Sequence, residues 1–75
     1  MPDKVLRSLQ NPAGNLCVDL FVREDGTFGY EEYRRDAEDA RGWFPLRRYA
    51  HQVFETEALA LAHARSTIAW LKDPE

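Results

Sequence analysis

Apolar and polar residues alternate with a period of two in the first half of the chain, and with a helical period near its end. Leu16, Val18, Leu20 and Val22 alternate with Cys17, Asp19, Phe21 and Arg23, the pattern of a strand with one buried face. Phe28, Tyr30 and Glu32 alternate in the same way with Gly29, Glu31 and Tyr33. The spacing predicts strands over residues 16–23 and 27–34. Between them stands Glu24-Asp25-Gly26, and the loop length sets the register. A two-residue Asp25-Gly26 turn puts Val22 opposite Gly29 and Leu20 opposite Glu31. A three-residue loop, with Gly26 in the left-handed region, puts Val22 opposite Phe28 and Leu20 opposite Tyr30. The second register gathers the large apolar side chains on one face, and a slip of one residue scatters them. It also sets Phe21 across from the bare backbone of Gly29. The opposite face then carries Cys17, Phe21 and Tyr33 among Asp19, Arg23 and Glu31, so it is half apolar and invites a cover.

The turn signal Asn11-Pro12-Ala13-Gly14-Asn15 separates these strands from a first strand over residues 4–9. In that segment Val5, Leu6 and Leu9 do not alternate cleanly. A last strand is expected over residues 49–54, from Tyr49 to Phe54. Trp43-Phe44-Pro45-Leu46 is expected to be loop, because Pro45 is ill suited to a central strand, and to plug one end of the sheet. Thr56 is a good helix N-cap, with Glu57 and Glu55 at the positive end of the dipole. The helix is expected over residues 57–71, with Lys72 near its negative end and Pro74 stopping it. Leu61, Ala64, Ile68 and Leu71 make its core stripe, with Ala60 beside it. Leu59, His63 and Trp70 form a second group on the far side, which one sheet does not explain.

These elements compose an α+β fold, a three- to four-stranded antiparallel sheet packed against one C-terminal helix, in a single domain over residues 1–75. The expected core is Val18, Leu20, Val22, Phe28, Tyr30 and Phe54 with the helix stripe. Composition adds limits. Cys17 is the only cysteine, so no internal disulfide forms, and with His51 and His63 it falls short of a zinc site. The net charge of −3 opposes a polyanion. The N-terminus has no apolar signal core, and no run approaches the roughly 20 residues that span a bilayer. A cytoplasmic protein of small bacterial type, with no membrane partner, is the expectation.

Candidate chemistry is sparse. Cys17 stands on a strand without a C-x-x-C partner, and the chain lacks G-x-S-x-G, H-E-x-x-H and a glycine-rich phosphate loop. The acidic run with Asp36, Glu38 and Asp39 lacks the spacing of a calcium loop. An enzyme is not expected, and no cofactor or metal is implied. The leading expectation is a non-enzymatic protein-interaction module, binding a protein partner or forming a homodimer. Leu59, His63 and Trp70 are its candidate contacts, since exposed apolar clusters and Trp mark interfaces. The alternative is a nucleic-acid-binding domain using an arginine and aromatic edge: Arg34, Arg35, Trp43, Arg47 and Arg48, with charge for phosphates and rings for stacking. The acidic net charge disfavours it.

Phe54-Glu55-Thr56-Glu57-Ala58 resembles the strand-to-helix junction of the plant ethylene-response-factor DNA-binding domain, in which three strands precede a helix. The likeness covers about one fifth of the chain and implies only the order of elements. That family reads DNA with arginines and tryptophans on its sheet, and the matching sheet here is mixed or acidic. The double-stranded-RNA-binding domain also ends in three strands and a helix, but residues Thr56 to Leu61 carry none of its lysines.

Overall fold

Val22 pairs with Phe28, Leu20 with Tyr30 and Phe21 with Gly29, the register that a three-residue loop dictates. In the computed structural model, which describes residues 3–36, 38 and 41–71, Gly26 donates its N–H to Arg23 O at 2.9 Å. Its φ is 88°, which closes the turn in the left-handed region where glycine is at ease. Asp25 Oδ1 braces the loop by accepting the amide and hydroxyl of Thr27.

The strands are β1 (Lys4–Gln10), β2 (Leu16–Val22), β3 (Phe28–Arg35) and β4 (Trp43–Pro45). They form an antiparallel sheet in the order β1-β2-β3-β4. Helix α1 (Glu57–Thr67) and a short 3-10 turn, Ala69–Leu71, follow. The fold is α+β. In β1, Val5 pairs with Phe21 but Arg7 pairs with Leu20. Leu6 is therefore the extra residue of a bulge, and it shifts the phase between Val5 and Leu9. That is why the alternation in this segment reads poorly.

One face of the sheet packs on α1. Val18, Leu20 and Tyr30 meet Ala60, Ala64, Ile68 and Leu71, all buried, with Leu9, Phe28, Tyr49, Phe54, Leu61 and Trp70 partly buried around them. The helix approaches through two alanines, Ala60 and Ala64, rather than through Leu61, which is only half-buried. Val22 sits at the margin, also half-buried. Thr56 caps the helix by accepting the N–H of Leu59 at 3.1 Å.

Two expectations are corrected. Residues 49–54 are not a strand; within that stretch, Phe54 alone makes an isolated bridge, to Phe28. The fourth strand is instead Trp43–Pro45, paired with Tyr33, Arg34 and Arg35. Pro45 is tolerated there because β4 lies at the sheet edge. The helix also ends at Thr67, not at 71. Ile68 is extended, at φ −96° and ψ 116°. Ser66 turns its hydroxyl back to His63 O at 3.0 Å, and this hydroxyl and the β-branched Thr67 and Ile68 favour the helix least just where it stops. Lys72, Pro74 and Asp39 lie outside the described residues.

A bare sheet face as candidate functional site

The segment after β4 shapes the site. Leu46 donates its N–H to Glu32 O at 2.9 Å, and the chain returns to β3 only at Phe54, whose backbone bonds Phe28 at 2.8 and 2.9 Å. Between these points it arches away from the strand. Arg47 adopts a positive φ of 59°, and the next three amides turn inward. Glu31 receives them: Oε2 accepts Arg48 N at 3.2 Å, and Oε1 accepts Tyr49 N at 3.1 Å and Ala50 N at 2.8 Å. Oε2 also accepts the N–H of Glu32 at 2.8 Å. The Arg23 guanidinium donates to Ala50 O at 2.6 Å, Gln52 O at 2.8 Å and Phe28 O at 3.0 Å. One buried carboxylate and one guanidinium thus satisfy the inward polar groups of an irregular segment.

Alternation along the strands puts Val5 and Ser8 of β1, Cys17, Asp19 and Phe21 of β2, Glu31 and Tyr33 of β3, and Trp43 and Pro45 of β4 on the face away from α1. The smallest principal extent is 18 Å, enough for the sheet and one helical layer. Among the described residues, no helix therefore lies over this second face. Phe21 lies flat across Gly29, where an added Cβ would stand 2.9 Å from the ring, and Arg23 lies over the ring at 5.0 Å.

Two hollows open on this face and share Tyr33. The larger, of about 550 Å³, runs from Asp3 and Val5 across Phe21 to Pro45, Arg47 and His51. The smaller, of about 250 Å³, is lined by Ser8, Gln10, Cys17, Asp19, Tyr33 and Trp43. Asp19 Oδ1 accepts Ser8 Oγ at 2.6 Å and Cys17 Sγ at 3.3 Å. Burial, then the hydrogen bond to Asp19 and the charge of Asp19, push the Cys17 thiol up to about 12, so it is a poor nucleophile. Burial raises Tyr33 as well, aided by the charges of Asp19 and Glu31. The Arg35 guanidinium stacks on Trp43 at 4.6 Å and donates to Gly14 O at 2.9 Å.

The residues singled out from the sequence are dispersed. Leu59 and His63 line a third hollow of about 470 Å³ with Val53 and Phe54. Trp70, on the 3-10 turn, is not part of it. Its indole N–H donates to Glu32 Oε2 at 2.8 Å, because the break at Ile68 ends the helical phase that would align it with His63. His63 Nδ1 meets the hydroxyl of the fully buried Tyr30 at 2.8 Å. The arginine edge is also divided. Arg35 and Trp43 lie on the bare face, Arg34 on the helix side paired with Phe44, and Arg47 and Arg48 on the arch. Arg48 lies 4.0 Å from Glu32. Asp19 and Tyr33 are the residues that sequence reasoning placed on the outer face without singling out. Their signal was an acid and an aromatic on one side of adjacent strands.

Among the described residues no three His, Cys, Asp or Glu side chains gather as a metal site, and no helix is long and apolar enough to cross a membrane. No known family model, curated protein or solved structure matches the chain.

Proposed function

We propose that the protein is a non-enzymatic interaction module of the cytoplasm that receives a protein partner, or a second copy, on the bare face of its sheet. The observation that carries this reading is the placement of the half-buried Tyr33 and Trp43, beside the buried Phe21 and Cys17, on a face that no helix of the described residues covers. Aromatic side chains supply large rigid contact area and dominate interface energetics. Arg23 and Glu31 are spent on holding the arch, so the rim is built before a partner arrives, which lowers the ordering cost of binding.

A second reading, single-stranded nucleic acid on the same face, is favoured by Arg35 stacked on Trp43 beside Tyr33, with Arg47 at the rim. Asp19 and Glu31 in the middle of the face weigh against it.

The test uses the wild type, Tyr33→Ser and Leu59→Ser as baits in a native lysate, with each captured protein purified and rebound. Direct rebinding that Tyr33→Ser removes, Leu59→Ser spares and salt barely alters is the expected result. Binding lost with Leu59→Ser alone overturns the assignment to this face. Captured nucleic acid, released steeply as salt rises, favours the second reading.

A further inference from the structure

We propose that the small hollow at Asp19 takes a primary alkylammonium group, the end of a lysine side chain on the protein partner. This rests on the reading of the bare face as the interaction surface, and it names the chemistry that surface selects.

Asp19 is half-buried. Its Oδ1 is held by two neutral donors, the Ser8 hydroxyl and the Cys17 thiol. Among the described residues no cationic side chain pairs with it, and Oδ2 takes no hydrogen bond. Carboxylates drawn out of water are ordinarily paired with a cation, because burying an unpaired charge is costly. Here the pairing is incomplete, and Asp19 lines a hollow. Glu31, its direct cross-strand neighbour, is a second carboxylate close by, lining the larger hollow rather than this one. The raised Tyr33 and Cys17 carry the imprint of this field, since the charge of Asp19 contributes to both shifts after burial.

The walls agree with the floor. Tyr33 and Trp43 line the hollow, and ring faces attract ammonium groups. Arg35 already lies over the Trp43 ring at 4.6 Å, anchored to Gly14 O, and it is not among the residues lining the hollow. At about 250 Å³ the space falls below the roughly 300–1,000 Å³ of sites that enclose a drug-sized ligand. It suits the end of one side chain.

Lysine is preferred over arginine for a geometric reason. A guanidinium gains most by meeting both oxygens of a carboxylate in a fork. Oδ1 of Asp19 already holds two donors, which leaves Oδ2 for a compact ammonium on a thin stem.

The probe is n-butylammonium chloride, titrated into the full chain by amide and indole NMR, with sodium chloride at equal ionic strength as baseline and methylguanidinium chloride in parallel. Saturable shifts at the Trp43 indole and the Ser8 and Asp19 amides are expected, weaker with methylguanidinium. Asp19→Asn keeps an acceptor for Ser8 and should weaken butylammonium at least tenfold. Trp43→Leu leaves the carboxylate in place and should weaken it several-fold, which guards against a folding artefact in the first variant. Absence of saturable shifts beyond sodium chloride, equal binding by Asp19→Asn, or tighter methylguanidinium each overturns the lysine assignment. None of these bears on the Tyr33→Ser capture, so the interaction reading stands or falls separately.

Discussion

Glu31 Oε1 accepts the amide proton of Ala50 at 2.8 Å, across a sequence gap of nineteen residues. The bond belongs to a set of four N–H groups that converge on one side chain. It explains how a segment that is neither strand nor helix can lie against β3 without stranding its polar groups. It also explains how Glu31, only 2% exposed, is tolerated in a sheet.

Glu31→Gln replaces one acceptor oxygen with a donor that faces two of these N–H groups. Each orphaned buried donor costs about 1–3 kcal/mol, so unfolding free energy should fall by about 2–6 kcal/mol. Urea denaturation reads this directly. A midpoint equal to that of the parent would show that the arch is held by Arg23 and its carbonyls alone.

The helix packs through residues without bulk. Ala60 and Ala64 are fully buried against Leu20 and Tyr30, while Leu61 is half-buried beside them. Ala64→Leu should therefore overpack the interface and cost about 1–3 kcal/mol, with Tm falling by about 4–8 °C for each kcal/mol in a domain of this size. Thermal unfolding followed by circular dichroism checks it. An unchanged Ala64→Leu melt alongside a collapsed Leu61→Ala melt would restore a helix face centred on Leu61.

How far these relationships can be read from the chain differs by element. The β2–β3 pairing was legible because loop length and side-chain period constrain each other: a single register places Leu20 opposite Tyr30 and Phe21 opposite Gly29. The outer face followed from the same alternation. β1 was blurred by one inserted residue, Leu6. The arch was beyond reach, since its stability comes from a carboxylate on another strand rather than from local periodicity. Tyr49 to Phe54 was expected as a strand, yet Tyr49 and Phe54 reach Tyr30 from an irregular segment, with ring centroids 5.1 and 6.0 Å away, while Val53 between them is exposed. Trp43 was expected in a loop because Pro45 argues against a central strand, and local sequence does not show that β4 lies at the edge, where proline is tolerated. Trp70 was misplaced on a continuous helix because Ser66, Thr67 and Ile68 each disfavour helix only weakly, and the break depends on their succession.

Trp70 is an anchor of the fold. Its indole N–H is a neutral donor to Glu32, a side chain only 5% exposed. Trp70→Phe keeps most of the ring packing and removes that donor, which should cost about 1–3 kcal/mol. Chemical denaturation of the two proteins measures the difference. The folded variant should still capture the partner that the wild type captures, and loss of capture at full folding would place Trp70 in the interface instead.

Cys17 gives the domain a sensitivity to alkali. Burial, followed by the hydrogen bond and charge of Asp19, raises the folded thiol to about 12 from its ordinary 9.0. Between those values the unfolded chain has released this proton and the folded chain has kept it. Stability from this group is therefore fully present below pH 9.0 and is lost as the pH rises toward 12. For one proton the slope is at most about 1.4 kcal/mol per pH unit. Tyr30 and Tyr33, both raised above 10.0 chiefly by burial, steepen the loss above that pH. Urea midpoints should accordingly be flat near neutrality and decline from about pH 9 upward. Cys17→Ala should remove the first part of the decline, between the onset for the thiol and the onset for the tyrosines, and leave the later part. A wild-type midpoint that holds steady to pH 11, about two units above the ordinary thiol value, would show that Cys17 ionises in the folded protein as readily as in water.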